Sequence, residues 1–135
     1  MSRASRIHFA LIPALLISGA AALTRAQETK QTPETVMLTY RVKAGSEADL
    51  AKVLARHWRT AVDLKLVHDS PHVLVRAADP GNKVRFVEIL TWRDGSIPDS
   101  PPAAIRELWG EMNKLVESRD GRPGIDIEQV AAVTP

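Results

Sequence analysis

His72-Val73-Leu74-Val75-Arg76-Ala77-Ala78, then Asp79-Pro80-Gly81-Asn82-Lys83, then Val84-Arg85-Phe86-Val87-Glu88-Ile89-Leu90-Thr91-Trp92 is the stretch that decides the fold. Its two flanking pieces are rich in β-branched and aromatic residues, which suit a pleated surface. The middle piece gathers proline, glycine and asparagine into one turn. A hairpin is predicted, with Ala78 opposite Val84. Side chains alternate between the two faces of a strand. One face of the hairpin then holds Val73, Val75, Ala77, Val87 and Ile89, with Arg85 and Thr91 toward the strand ends. The other holds His72, Leu74, Arg76, Phe86, Glu88, Leu90 and Trp92. Neither reads as a solvated face, so both are expected to be covered.

Downstream, Ser100-Pro101-Pro102 opens a helix expected to run to a stop at Asp120-Gly121. Proline costs nothing in the first turn, where the amides have no intrahelical partner. Gly121 suits the left-handed position past a helix end. Ile105, Leu108, Met112 and Leu115 recur at helical spacing, with Trp109 and Val116 beside them. Upstream, Val36 to Lys43 alternates as a strand, with Val36, Leu38, Tyr40 and Val42 on one side. Ala44-Gly45 turns the chain. Ser46-Glu47-Ala48-Asp49 resembles a capping box. Leu50, Leu54, His57, Ala61 and Leu64 then form one helical stripe, broadened by Val53. Ile125 to Val133 is predicted as the last strand. The order β-α-β-β-α-β predicts a ferredoxin-like α+β fold, a four-stranded antiparallel sheet with two helices on one face. The other face would stay bare in a monomer.

The chain has 135 residues and no cysteine. Arg3 and Arg6 precede an almost wholly apolar run, Ile7 to Leu23, and Thr24-Arg25-Ala26 offers a small residue for cleavage. Residues 1–26 are therefore expected to be a secretory signal peptide, with cleavage near Ala20 or an uncleaved anchor as alternatives. Three of the 18 basic residues and none of the 16 acidic ones fall in that segment, which leaves 15 against 16, a formal net charge of −1. Such a near-neutral chain has no electrostatic footprint for nucleic acid or, once the leader is gone, for a membrane. Residues 27–34 read as a flexible segment and 35–135 as one domain with a single core. Without disulfides, stability in an exported protein must come from packing and, in this reading, from a partner subunit.

The strand Val84 to Trp92 followed by Arg93-Asp94 resembles the strand and acidic loop of the dimeric α+β barrel superfamily. Within it, the element pattern over residues 34–133 is similar to the antibiotic biosynthesis monooxygenase-like domains. The resemblance implies a homodimer of two sheets packed face to face, with a pocket in each protomer between sheet and helices. It implies the aliphatic face as the dimer contact and the mixed face as the pocket lining. Haem-degrading branches of the superfamily need a histidine late in the second helix. Leu115-Val116-Glu117-Ser118-Arg119 has none, so that activity is not implied.

Glu88 lies mid-strand on the mixed face, and a buried carboxylate must be paired or raised in pKa. Two readings stand: a general base taking a proton from a phenolic substrate, or a buried ion pair with Arg76 that fixes register. Trp92, Trp109 and Phe86 would wall a pocket for a small aromatic ligand or simply pack the core. His57 would be a pocket proton relay or a hydrogen-bonded core residue. His57, His68 and His72 match no compact metal spacing, so no metal is expected. No cofactor is expected either. Ser46 and Ser100 read as helix caps, and Ser70, Ser96 and Ser118 have no evident base for nucleophilic catalysis.

If the chain is an enzyme, the resemblance implies cofactor-free oxygenation or isomerisation of an aromatic or quinone-like compound. Glu88 or His72 would move protons, Arg76 would stabilise an oxyanion, and Trp92, Trp109, Phe86 and His57 would hold the ring. The rival readings are a non-catalytic ligand-binding or stress-response module, and a structural homodimer with no ligand.

Overall fold

The computed structural model describes residues 32–133 and 135. The expected leader, residues 1–26, lies outside the described residues. The element order is β1 (Glu34–Arg41), α1 (Glu47–Asp63), β2 (Val73–Asp79), β3 (Lys83–Trp92), a short 3-10 turn (Ile97–Asp99), α2 (Ala103–Lys114) and β4 (Ile125–Gln129). The strands form one antiparallel sheet in the order β2-β3-β1-β4. This is the ferredoxin-like α+β arrangement read from the sequence.

The hairpin register is as expected. Ala78 pairs with Val84, Val75 with Val87 and Val73 with Ile89. Gly81 and Asn82 turn the chain with φ of 76° and 57°, a region that glycine and asparagine tolerate best. β1 then joins the other side of β3, with Leu38 opposite Glu88 and Tyr40 opposite Phe86. These pairings sort the whole sheet. Val36, Leu38, Tyr40, Phe86, Glu88, Leu90 and Trp92 point toward the helices and are buried. From the helices, Leu50, Val53, Leu54, His57, Ala61, Ile105, Leu108 and Met112 meet them. Each fully buried aliphatic or aromatic side chain here contributes about 1.5–3 kcal/mol.

Several expectations need correction. α2 stops at Lys114, not near Asp120. Val116 instead bridges to Val42 beside the sheet, and Arg119 bridges to Arg122 across a tight turn. Asp120 and Gly121 are both left-handed in that turn, so Gly121 serves a two-residue reversal rather than a helix end. The diversion is anchored by Arg119. Its guanidinium donates to Asp79 at 2.9 Å, to the Val42 carbonyl at 3.0 Å and to Glu117 at 3.1 Å. Neither Ser46 nor Ser100 caps a helix through its side chain. Ser46 makes no such bond, and α2 is entered from Pro102. Leu64 ends α1 half-exposed rather than on the buried stripe. β4 ends at Gln129, four residues short of expectation.

The sheet face away from the helices is open. Val73 and Val75 are 44% and 49% exposed there.

Candidate active site

The helices do not cover the inner face evenly. β4 is the edge strand beyond β1, and Ile127 on its inner side is 61% exposed. The space left between α2, β1 and β4 is an open-sided cleft of about 660 Å³. Its floor is Val36, Leu38, Tyr40, Ile125 and Ile127, and its end wall is Trp92, Trp109 and Met112. The charged residues lining it are Glu34 and Asp99. An apolar floor with two carboxylates and no cation favours a neutral, flat ligand over an anion.

The aromatic wall is held from behind. Trp92 and Trp109 meet edge to face, with ring centroids 6.2 Å apart and planes at 77°. Trp109 Nε1–H donates to His57 Nε2 at 3.1 Å. That bond sets the tautomer: Nε2 accepts, so the ring proton sits on Nδ1, which has no hydrogen-bond partner. His57 is 1% exposed, and burial lowers its pKa from the usual imidazole value. The neighbouring Glu88 opposes that shift, and His72 adds to it. Neutral His57 is thus a fixed acceptor that orients the Trp109 ring.

Beside this wall lies a polar chain. Glu88 is fully buried. Its Oε2 accepts from the Tyr40 hydroxyl at 2.8 Å, and its Oε1 lies 3.0 Å from His72 Nε2. The His72 ring stacks on Trp58 of α1, with centroids 3.5 Å apart and planes at 2°. Its side chain is 21% exposed, so the chain reaches solvent there. Tyr40 has a pKa raised well above the ordinary phenol value, by burial first and then by the Glu88 charge and hydrogen bond. Tyr40 therefore stays a neutral donor at physiological pH.

The predicted Glu88–Arg76 ion pair does not form. Arg76 lies on the edge strand β2, and its side chain is 53% exposed and pairs with Glu47 at the start of α1, at 2.5 Å. It is too far out on the sheet to stabilise an oxyanion in the cleft. The other sequence candidates separate into three places. Trp92 and Trp109 line the cleft. His57 stands behind them. Glu88 and His72 form the polar chain, and Phe86 is core, buried opposite Tyr40. Among the described residues no group of three metal-ligating side chains comes together.

Sequence reasoning passed over Tyr40 as a strand residue. The available signal was that it is the chain's single tyrosine, on the same period-two face as Val36 and Leu38. Its partner became visible only once β1 was placed beside β3.

No family model and no curated protein matches the chain. Solved structures do. The cofactor-independent oxygenase SnoaB from Streptomyces nogalater superposes with a TM-score of 0.56 at 18% identity, over 76% of this chain and 97% of that one. The two chains share the ferredoxin-like α+β fold. Rv0793 from Mycobacterium tuberculosis shares it with a TM-score of 0.57 at 12% identity, over 77% of this chain and 98% of that one. So does a candidate antibiotic biosynthesis monooxygenase from Chloroflexus aurantiacus, with a TM-score of 0.53 at 12% identity, over 77% and 96% of the two chains. At these identities the likeness is one of architecture.

Proposed function

We propose that this chain, exported after loss of residues 1–26, is a homodimeric, cofactor-independent monooxygenase-like enzyme acting on a small aromatic or quinol compound. The observation that carries the reading is the cleft itself. An apolar floor meets an edge-to-face pair of tryptophans, and a buried carboxylate lies one hydrogen bond behind Tyr40. A flat ring stacks or packs edge-on against Trp92 and Trp109. Loss of a phenolic proton leaves an electron-rich anion, which reacts with oxygen without a metal or flavin. One oxygen atom enters the ring and the other leaves as water. Glu88 and His72 are the residues equipped to take that proton. Arg76 is given no part.

The test uses 1,4-naphthohydroquinone under oxygen. Turnover above the spontaneous rate, giving a hydroxynaphthoquinone and one water per oxygen consumed, is the expected result. Quenching of tryptophan fluorescence by 1,4-naphthoquinone reports binding independently. Binding without turnover would move the chain to the ligand-binding or stress-response reading. Failure to bind would overturn both.

A further inference from the structure

We infer that Glu34, at the rim of the cleft, selects ligands whose ring carries a protonated amine. The inference rests on the cleft being a ligand site, as proposed above, and names the class of ligand that this site prefers.

The charge of the lining is one-sided. Glu34 and Asp99 contribute carboxylates, and no lysine, arginine or histidine lines the cleft. Elsewhere on the molecule Asp79, Glu117 and Asp126 are taken by arginines. The Glu34 carboxylate has no ion pair and no hydrogen bond among the described residues. Apolar walls of low dielectric concentrate the field of such a lone charge on whatever enters the space.

Glu34 is also held in place. It opens β1 and pairs with Trp92 of β3, so the two side chains stand next to each other on the inner face of the sheet. Gly95, in the turn after β3, makes the room that Glu34 needs. A Cβ there would lie 3.1 Å from Glu34 Oε2 and 3.3 Å from Glu34 Cβ. Gly95 is not among the glycines with positive φ, so its backbone conformation does not call for glycine. The close approach of Glu34 does. A carboxylate present only for solubility would stand in water and need no glycine to admit it. Asp99 is placed in that way: it is exposed on the short 3-10 turn, where water screens it.

The rest of the selection comes from the wall. Trp109 is half-buried and lines the cleft. Its Nε1–H is already given to His57, so it offers a ligand its ring rather than a donor. An indole ring attracts a cation through its π-electrons. An ammonium group in this cleft gains from the ring and from the carboxylate. A hydroxyl in its place gains a hydrogen bond at most, and a carboxylate is repelled by Glu34.

The test compares three probes on one naphthalene frame: 2-naphthylmethylamine, which is protonated at neutral pH, neutral 2-naphthalenemethanol, and anionic 2-naphthoate. Calorimetric titration of the wild-type protein should rank them amine, alcohol, carboxylate. The amine should lead the alcohol by about fivefold at low salt, the ratio that ~1 kcal/mol gives, and by less at high salt. Glu34→Gln keeps the shape and loses the charge. It should bring the amine down to the alcohol and leave the alcohol's affinity unchanged, which also reports an intact fold. Asp99→Asn should keep the gap. Amine and alcohol bound equally by the wild type, a naphthoate bound as tightly as the amine, a gap that survives Glu34→Gln, or one that vanishes with Asp99→Asn overturns the selection by Glu34 and leaves the cleft a ligand site. Loss of alcohol binding in Glu34→Gln gives Glu34 a structural role instead and overturns it too. A wild-type protein that binds none of the three overturns the cleft reading and the inference with it.

Discussion

His57 shows how one buried side chain ties pH to stability. Its pKa in the folded protein is lowered, chiefly by burial, while in the unfolded chain it returns to about 6.5. Between those two values the unfolded state binds a proton that the folded state refuses. Stability is therefore whole above pH 6.5 or so and declines as pH falls toward the lowered folded value, at about 1.4 kcal/mol per pH unit within that window. His57→Gln removes the titration and keeps an acceptor for Trp109 Nε1. The expected outcome is a melting temperature that falls less between pH 7 and pH 5 in the variant than in the wild type. Parallel curves would show that His57 is not the group responsible.

Two glycines separate what a helix wants from what a junction needs. Gly110 lies on the exposed side of α2, and a Cβ there would meet nothing within 4 Å. Gly110→Ala is expected to stabilise by about 0.5–1 kcal/mol, because alanine loses less backbone freedom on folding. Gly124 leads into β4 where the chain crosses the segment after α2. A Cβ there would sit 2.7 Å from Val116 Cγ2 and 3.1 Å from the Glu117 backbone nitrogen. Val116 is buried and bridged to Val42, so it has nowhere to move. Gly124→Ala is expected to cost about 1–3 kcal/mol through overpacking. Urea titration of the two variants checks both signs.

At the scale of the molecule, the open sheet face asks for a partner. Val73, Val75, Val87 and Ile89, on β2 and β3, form an apolar patch at one side of it, and the helices already cover the other face. An apolar sheet face left bare invites association. A second copy of this chain, sheet against sheet, covers it with symmetry. Light scattering at micromolar concentration is expected to give the dimer mass for the wild type. Val87→Asp is expected to give the monomer with its circular dichroism retained, since it places an unpaired charge in the contact. A stable wild-type monomer would end the dimer proposal.

The element order, the β2–β3 register and the division of the hairpin into two faces were legible in the sequence. Periodicity and turn chemistry are local, and a strand reports its own faces through alternation alone. The same locality explains the misplacements. The helical pattern through Leu115 and Val116 is equally a pattern of burial, and only the bridge from Val116 to Val42 shows that the chain had already left the helix. The Glu88 partner was misread for the same reason. Arg76 is diagonal to Glu88 on a neighbouring strand, but Glu47 at the start of α1 lies closer to its exposed position and takes it. Tyr40 lies 48 residues from Glu88 along the chain and meets it only because β1 inserts beside β3. The sequence by itself determined the order of the elements and which faces of the hairpin are apolar. The tertiary structure alone decided which polar groups meet inside, because partners for a buried charge are chosen by distance in space and not by spacing along the chain.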